Sequence, residues 1–219
     1  MKYFIDFEFI EGFKKPFFGK QRHFIDMISV GIYREDGKSY HCLSSEYRYK
    51  DANEWVKENV ILPIYKQGVH GDQRNHCSAE NFHKHFGKPV EQIKLEILEF
   101  FGCWRDQHFW RAAEGIEVYG YYSDYDWVLL CSLFGRMIDL PKGFPMYCID
   151  LKQTLDEKVS NLKNSDFFTK YHVKEEMTLK EKLSEIKKYN DRYPKNDQEH
   201  NAAADAKWNY ELYKFLQTL

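Results

Sequence analysis

Asp6 and Glu8 stand two residues apart in the N-terminal segment MKYFIDFEFIEGF, among Phe4, Ile5, Phe7, Phe9 and Ile10. On a strand, residues i and i+2 leave the same face, so these carboxylates sit roughly 7 Å apart along the backbone. Two acids so close repel each other unless positive charge lies between them, and a divalent cation is the usual solution. A D-x-E pair alone is more often a solvated strand face. The apolar neighbours here argue against a fully solvated edge.

A second cluster lies in the middle of the chain, where Tyr119-Gly120-Tyr121-Tyr122-Ser123-Asp124-Tyr125-Asp126 leads into Trp127-Val128-Leu129-Leu130. This reads as a strand ending in a polar turn that opens a helix. Ser123 and Asp124 are both good N-cap residues, and an acid in a first turn suits the helix dipole. Capping accounts for one acid and leaves another beside the first strand. A third cluster is His200-Asn201-Ala202-Ala203-Ala204-Asp205-Ala206. If both were helical, His200 and Asp205 would point about 140° apart. They converge only if His200 lies on the loop before the helix and Asp205 in its first turn. Asn201 can cap that boundary, and the alanines allow the helix to approach a sheet closely. A lone loop histidine is more often a surface residue than a catalyst.

The elements that must position these groups follow from periodicity. Residues 2–10 alternate, with Tyr3, Ile5, Phe7 and Phe9 on one face and Phe4, Asp6, Glu8 and Ile10 on the other. A second strand over 24–33 leads through Glu35-Asp36-Gly37, a tight-turn signal, into a third over 39–43. Residues 51–62 read as a helix with Trp55, Val56, Val60 and Leu62 inward. Residues 68–88, rich in Gly, Asn, Asp and His, read as a loop insertion. An apolar stripe at Val90, Ile93, Ile97, Phe101 and Trp104 predicts an amphipathic helix over 90–109. Then follow a buried strand over 116–122, a helix over 127–138, a short strand over 146–149, and helices over 150–159, 178–190 and 202–216. Strands first and helices interleaved afterwards predict an α/β fold, a mixed sheet with helices on its faces, as a single domain over 1–219.

Composition narrows the function. The 219 residues carry a formal charge of −2, with 17 Phe, 16 Tyr and 5 Trp. Binding nucleic acid by blanket phosphate neutralisation requires a basic excess, so any grip on it must be local. No apolar stretch reaches the length of a membrane span, and the first acids precede any signal-peptide core, so a cytoplasmic location without membrane attachment is expected. Five scattered cysteines without a C-x-x-C pair predict reduced thiols.

The order D-x-E on the first strand, Tyr-Asp at a mid-chain strand-to-helix junction, and H-x-A-x-x-D-A entering the last helix resembles the DEDDh 3′-to-5′ exonuclease superfamily. Its members include RNase T, oligoribonuclease and proofreading domains. The hairpin after the first motif and the segment Tyr147-Cys148-Ile149-Asp150-Leu151-Lys152 are similar as well. Within the superfamily the chain is most like a compact exoribonuclease branch whose first motif reads D-x-E-F-I-E at the N-terminus. The resemblance implies an RNase H-like fold and a metal-dependent 3′-to-5′ exoribonuclease. It would use two divalent ions, Mg2+ or Mn2+, and release nucleoside 5′-monophosphates. Asp6, Glu8 and Asp205 would bind one ion, Asp6 bridging to a second that Asp126 supports directly or through water, with His200 the general base. Tyr125-Asp126-Trp127-Val128 fits the pattern of an aromatic, an acid and a hydrophobic helix, so Asp126 is preferred, with Asp124 the alternative. Phe9 and, more loosely, Phe13 would meet the terminal nucleotide, although most aromatics in such a chain are core. The expected partners are single-stranded 3′ ends, RNA favoured over DNA through closeness of pattern, and a homodimer is a further expectation of the resemblance.

Three other readings compete. His70, His76, Cys77, His83 and His85 offer zinc ligands, but their spacing matches no standard finger, and a solvated loop fits better. The same site acting on DNA is a 3′-5′ exodeoxyribonuclease; nothing in the sequence reads the 2′-hydroxyl. A catalytically silent RNA-binding or assembly protein of this fold is the third, opposed by all five catalytic positions being filled.

Overall fold

Alternating aromatic and aliphatic residues fold Lys2–Lys14 (β1) and Arg22–Arg34 (β2) into a long antiparallel ribbon, and the 35–37 turn adds Ser39–Leu43 (β3) antiparallel to β2. Gly37 takes a left-handed φ of 91° at that turn, which glycine adopts without penalty. On the other side of β1, Glu117–Gly120 (β6) and Ile149–Asp150 (β7) run parallel to it. The sheet order is β3-β2-β1-β6-β7, an RNase H-like mixed sheet. The computed structural model describes residues 1–15, 17–68, 77–162 and 173–219.

Helices cover both faces. Tyr3, Ile5 and Phe7 of β1 pack against Ile93 and Ile97 of Val90–Phe100 (α4) and Leu129 and Leu130 of Asp124–Ser132 (α5). Phe4 and Tyr119 pack on the opposite side, against Leu155 of Leu151–Ser160 (α6), Ile186 of Leu179–Tyr189 (α7) and Leu212 of Ala202–Leu216 (α8). The alternation read in β1 is therefore the division between two cores. A third core joins Ile10 and Ile28 to a continuous helical segment made of Glu54–Val56 (α1), a π-helical stretch Lys57–Ile61 and Leu62–Gly68 (α2).

Several expectations need correction. The helix expected over 90–109 stops at Phe100, because Gly102 turns left-handed (φ 68°). The Cys103 amide then donates to the Leu98 carbonyl and the Gly102 amide to Glu99, a Schellman stop. The chain continues as a small hairpin, Trp104–Asp106 (β4) and Phe109–Arg111 (β5), so Trp104 is exposed rather than inward. The helix expected over 127–138 starts three residues earlier and ends at Ser132, and the strand expected over 146–149 reduces to Ile149–Asp150. Trp55, expected inward, is 54% exposed.

The loop expected over 68–88 contains a short helix, Phe82–Phe86 (α3), with Phe82 and His83 buried. His83 stacks on Tyr47 at 4.1 Å between ring centroids and packs in the core. Residues 69–76, including His70 and His76, lie outside the described residues. All five cysteines are free. Among the described residues no helix is long and apolar enough to cross a membrane.

Candidate active site

β1 runs further than β6. Their pairing ends at Phe4 and Tyr119, which leaves the next backbone groups of β1 to be satisfied by side chains. The buried Asn209 of α8 donates its amide to the Ile5 carbonyl at 2.9 Å. The Phe7 amide donates to Asp126 Oδ1 at 3.0 Å. Asp126 is thus held by the strand that carries Asp6 and Glu8, whereas Asp124, two residues earlier on α5, points to solvent. Ser123, ahead of both, is fixed from β7: its amide donates to Asp150 Oδ2 at 2.9 Å, while Asp150 caps α6 by accepting from the Gln153 amide.

α8 brings in the third acid. Asn201 caps it, its side chain accepting from the Ala203 and Ala204 amides at 3.1 and 3.2 Å. His200 precedes the cap with a left-handed φ of 66°, off the helix, so the five-residue spacing does not hold it away from Asp205. The start of α8 lies directly on β2 at Gly31, the cross-strand partner of Asp6. A Cβ there would fall 1.9 Å from the Ala202 carbonyl oxygen. Ala202 and Ala206 are fully buried at this contact. A glycine on one side and alanines on the other thus allow Asp205 to reach Asp6.

Asp6, Glu8 and Asp205 converge, with one carboxylate oxygen of each within 4.8 Å of the others. Among the described residues this is the one group of three or more His, Cys, Asp or Glu side chains so placed. The donors are all hard carboxylate oxygens, and among the described residues no ion pair joins Lys or Arg to any of the three, a donor set that fits Mg2+ or Mn2+. Burial, with Asp126, Glu8 and Asp205 nearby, raises the Asp6 carboxyl well above the usual range. Burial and the charges of Asp205 and Asp126 push Glu8 to about 8. Burial also pushes Asp126 to about 7, against the Phe7 amide, which favours its anion. Asp205 is raised by burial, offset by the Asn196 amide and by His200.

The acids and His200 open onto a cavity of about 670 Å3, lined also by Phe9, Tyr121, Tyr125, Tyr193 and Trp208. Phe9 meets Tyr125 at 5.4 Å between centroids. Phe13 is not in this cavity; it is 67% exposed further along the ribbon, against His23. Sequence reading missed three residues here. Trp55 meets the His200 ring edge-on at 5.0 Å, Asn196 donates to Asp205 Oδ1, and Tyr125 forms a wall. Tyr125, beside Asp126 in the motif, was the one with a local signal.

The raised carboxyls make the metal-free protein sensitive to pH. An acid whose pKa is higher folded than unfolded contributes stability at low pH and loses it as pH rises through the folded value. Chelated protein should therefore lose thermal stability between about pH 5 and pH 8.5. Saturating Mn2+ should restore on the order of 5 °C or more at pH 8 and much less at pH 5.5, read by differential scanning fluorimetry. Equal shifts at both pH values would contradict the placement of the repulsion at these acids.

A model of the 3′-5′ exoribonuclease Rv2179c-like domain matches residues 68–217, a stretch that contains Asp126, His200 and Asp205 and begins after Asp6 and Glu8. Two Mycobacterium tuberculosis proteins are similar to the chain: 3′-5′ exoribonuclease Rv2179c of strain ATCC 25618 / H37Rv and 3′-5′ exoribonuclease MT2234.1 of strain CDC 1551 / Oshkosh. Each is 27% identical over 158 residues, covering 72% of this chain and 76% of the relative. The matched stretch, joined by the fold to the acids of β1, shows that the chain belongs to the Rv2179c-like 3′-5′ exoribonuclease domain family and is a 3′-5′ exonuclease.

Proposed function

We propose that the protein removes nucleoside 5′-monophosphates one at a time from the 3′ end of single-stranded RNA, with Mg2+ or Mn2+ held by Asp6, Glu8 and Asp205. The observation that carries this reading is the convergence of those three carboxylates, with no cationic side chain among the described residues paired to them. Bound divalent ions would offset the carboxylate charge and stabilise the negative charge that develops on the phosphoryl oxygens. Asp126, anchored through one oxygen by the Phe7 amide, would support the second ion. His200, free of the helix and beside Asp205, would accept the proton of the attacking water through its imidazole. Phe9 and Tyr125 would hold the terminal base by stacking. The preference for RNA is supported by the family and by the names of its relatives.

Asn and Ala substitutions test these roles on 5′-labelled RNA and the matching DNA. Asp126→Asn should reduce turnover on the order of 10²-fold or more, and Asp124→Asn should leave it within about twofold. His200→Ala should lower kcat roughly 10²–10⁴-fold and keep the Mn2+-induced thermal shift. If Asp124→Asn is the inactive variant, the assignment is wrong. If His200→Ala removes the thermal shift, His200 is a ligand and the base lies elsewhere. Faster shortening of the DNA would replace the exoribonuclease reading with an exodeoxyribonuclease.

A further inference from the structure

The β1–β2 ribbon extends well beyond the sheet. β6 pairs with β1 only over Lys2–Phe4, and β3 pairs with β2 only over Ser29–Tyr33. From Phe9 to Lys14 and from Arg22 to Met27, the strands are hydrogen-bonded to each other alone. The sequence from Gly12 to Ile25 contains Lys14, Lys15, Lys20 and Arg22 and no Asp or Glu, within a chain of net charge −2. Lys14 is occupied by Asp26 at 3.1 Å and Asp51 at 3.4 Å. Lys15, Lys20 and Arg22 are exposed and have no acidic partner among the described residues. At the tip, Phe17 is 94% exposed and Phe18 84%, their rings edge-on at 4.7 Å.

Exposed phenylalanines among unpaired cations have two costs for an isolated monomer, apolar hydration and like-charge repulsion. A single-stranded polyanion with aromatic faces relieves both. The tip is also linked to the active site by rings. Phe9 and Tyr125 line the site cavity, His23 lies 6.4 Å from Tyr125 in a stacked orientation, and Phe13 lies 5.5 Å from His23. From Glu8 to Lys14 the strand covers about 20 Å at roughly 3.3 Å per residue. That is about six nucleotides at the ~3.4 Å spacing of stacked bases.

We propose that the tip of this ribbon binds the single strand lying 5′ of the nucleotide in the active site. Phe17 and Phe18 stack on bases, while Lys15, Lys20 and Arg22 neutralise phosphates. The proposal rests on the nuclease reading and adds to it a dependence on substrate length: strands longer than about six nucleotides gain the contact, and dinucleotides do not reach it.

The test compares a 5′-labelled dodecanucleotide with a dinucleotide of RNA. The variants are a Phe17→Ala/Phe18→Ala double and a Lys15→Glu/Lys20→Glu/Arg22→Glu triple. For the dodecanucleotide, KM should rise about tenfold or more in each. The slope of log K against log salt should flatten by about 2 in the triple. For the dinucleotide, kcat and KM should stay within about twofold, which also reports intact folding. An unchanged KM for the dodecanucleotide overturns the proposal, as does an equal loss on both substrates. Conversion of a dimer to a monomer by the phenylalanine variant, with dodecanucleotide KM unchanged, also overturns it and assigns the tip to a second copy of the chain. If the wild type shortens neither RNA, the nuclease reading fails, and fluorescence anisotropy of the dodecanucleotide still decides on the ribbon. Weaker binding by the triple supports the proposal, and equal binding overturns it.

Discussion

Asp6→Asn is expected to lower turnover by 10³-fold or more while raising the melting temperature of the metal-free protein. Asp6 lies at the centre of the acidic cluster, with the charges of Asp126, Glu8 and Asp205 all acting on it. Its carboxylate is also one of the three oxygen donors that converge. An amide of the same shape removes one ligand charge, and charge stabilisation by a bound cation is worth several kcal/mol at the transition state, hence the 10³-fold. The same change removes the repulsion that Asp126, Glu8 and Asp205 exert on Asp6 in the metal-free protein. Each kcal/mol so recovered should appear as about 2–4 °C for a chain of this size. Steady-state kinetics with Mg2+ and melting with chelator at pH 8 give the two readouts. Retention of a tenth of the activity, or a fall in melting temperature matching the loss of activity, would count against a role in binding metal.

Gly31→Ala carries the second large effect, and it acts at a distance from the chemistry. The added Cβ would meet the Ala202 oxygen at 1.9 Å, its carbon at 2.2 Å and the Ala203 nitrogen at 2.6 Å, all backbone atoms that no rotamer change can move. Relief requires the N-terminus of α8 to lift off β2, and Asp205 and His200 move with it. Overpacking of this kind costs about 3 kcal/mol, the upper part of its usual range, or roughly 6–12 °C. Turnover should fall with stability even in Mn2+, because the Asp205 carboxylate no longer reaches Asp6. Gly12→Ala on the same ribbon is the control: its Cβ would meet only the Phe24 ring, at 3.0 Å, and a ring can shift. A Gly31→Ala protein with wild-type melting and turnover would show that the close approach of α8 is not what builds the site.

These two variants show which parts of the molecule were legible. Alternation in β1 is a local property, so the partition of Tyr3, Ile5 and Phe7 from Phe4, Asp6, Glu8 and Ile10 could be read directly. The need for His200 to leave the helix followed from angular arithmetic, and the alanines at 202–204 announced a close approach. The other half of that approach, Gly31, carried no signal, because its partner lies some 170 residues away and only strand register puts it opposite Asp6. Asp124 and Asp126 differ by about 200° around a helix, so one alone can face the site. Which one depends on the rotation of α5, set by the Phe7 amide and by packing around Leu129 and Leu130. Helical periodicity continued in sequence past Phe100, and the stop came from a single left-handed glycine. The acidic cluster was visible as three separated acids, but Asn196 and Trp55 were not, since neither has a motif and both act through contacts made only in the fold.

The central claim is that Asp6, Glu8 and Asp205 hold a divalent cation for hydrolysis from a free 3′ end. It is tested most directly by incubating wild-type protein with 5′-labelled single-stranded RNA, its 3′ end free or blocked, in Mg2+ or Mn2+ and again with excess chelator. The prediction is a ladder that shortens one nucleotide at a time from the free end, vanishes with chelator, returns when metal is restored, and does not form on the blocked strand. Shortening that survives chelation, or internal cuts in the blocked strand, would contradict it.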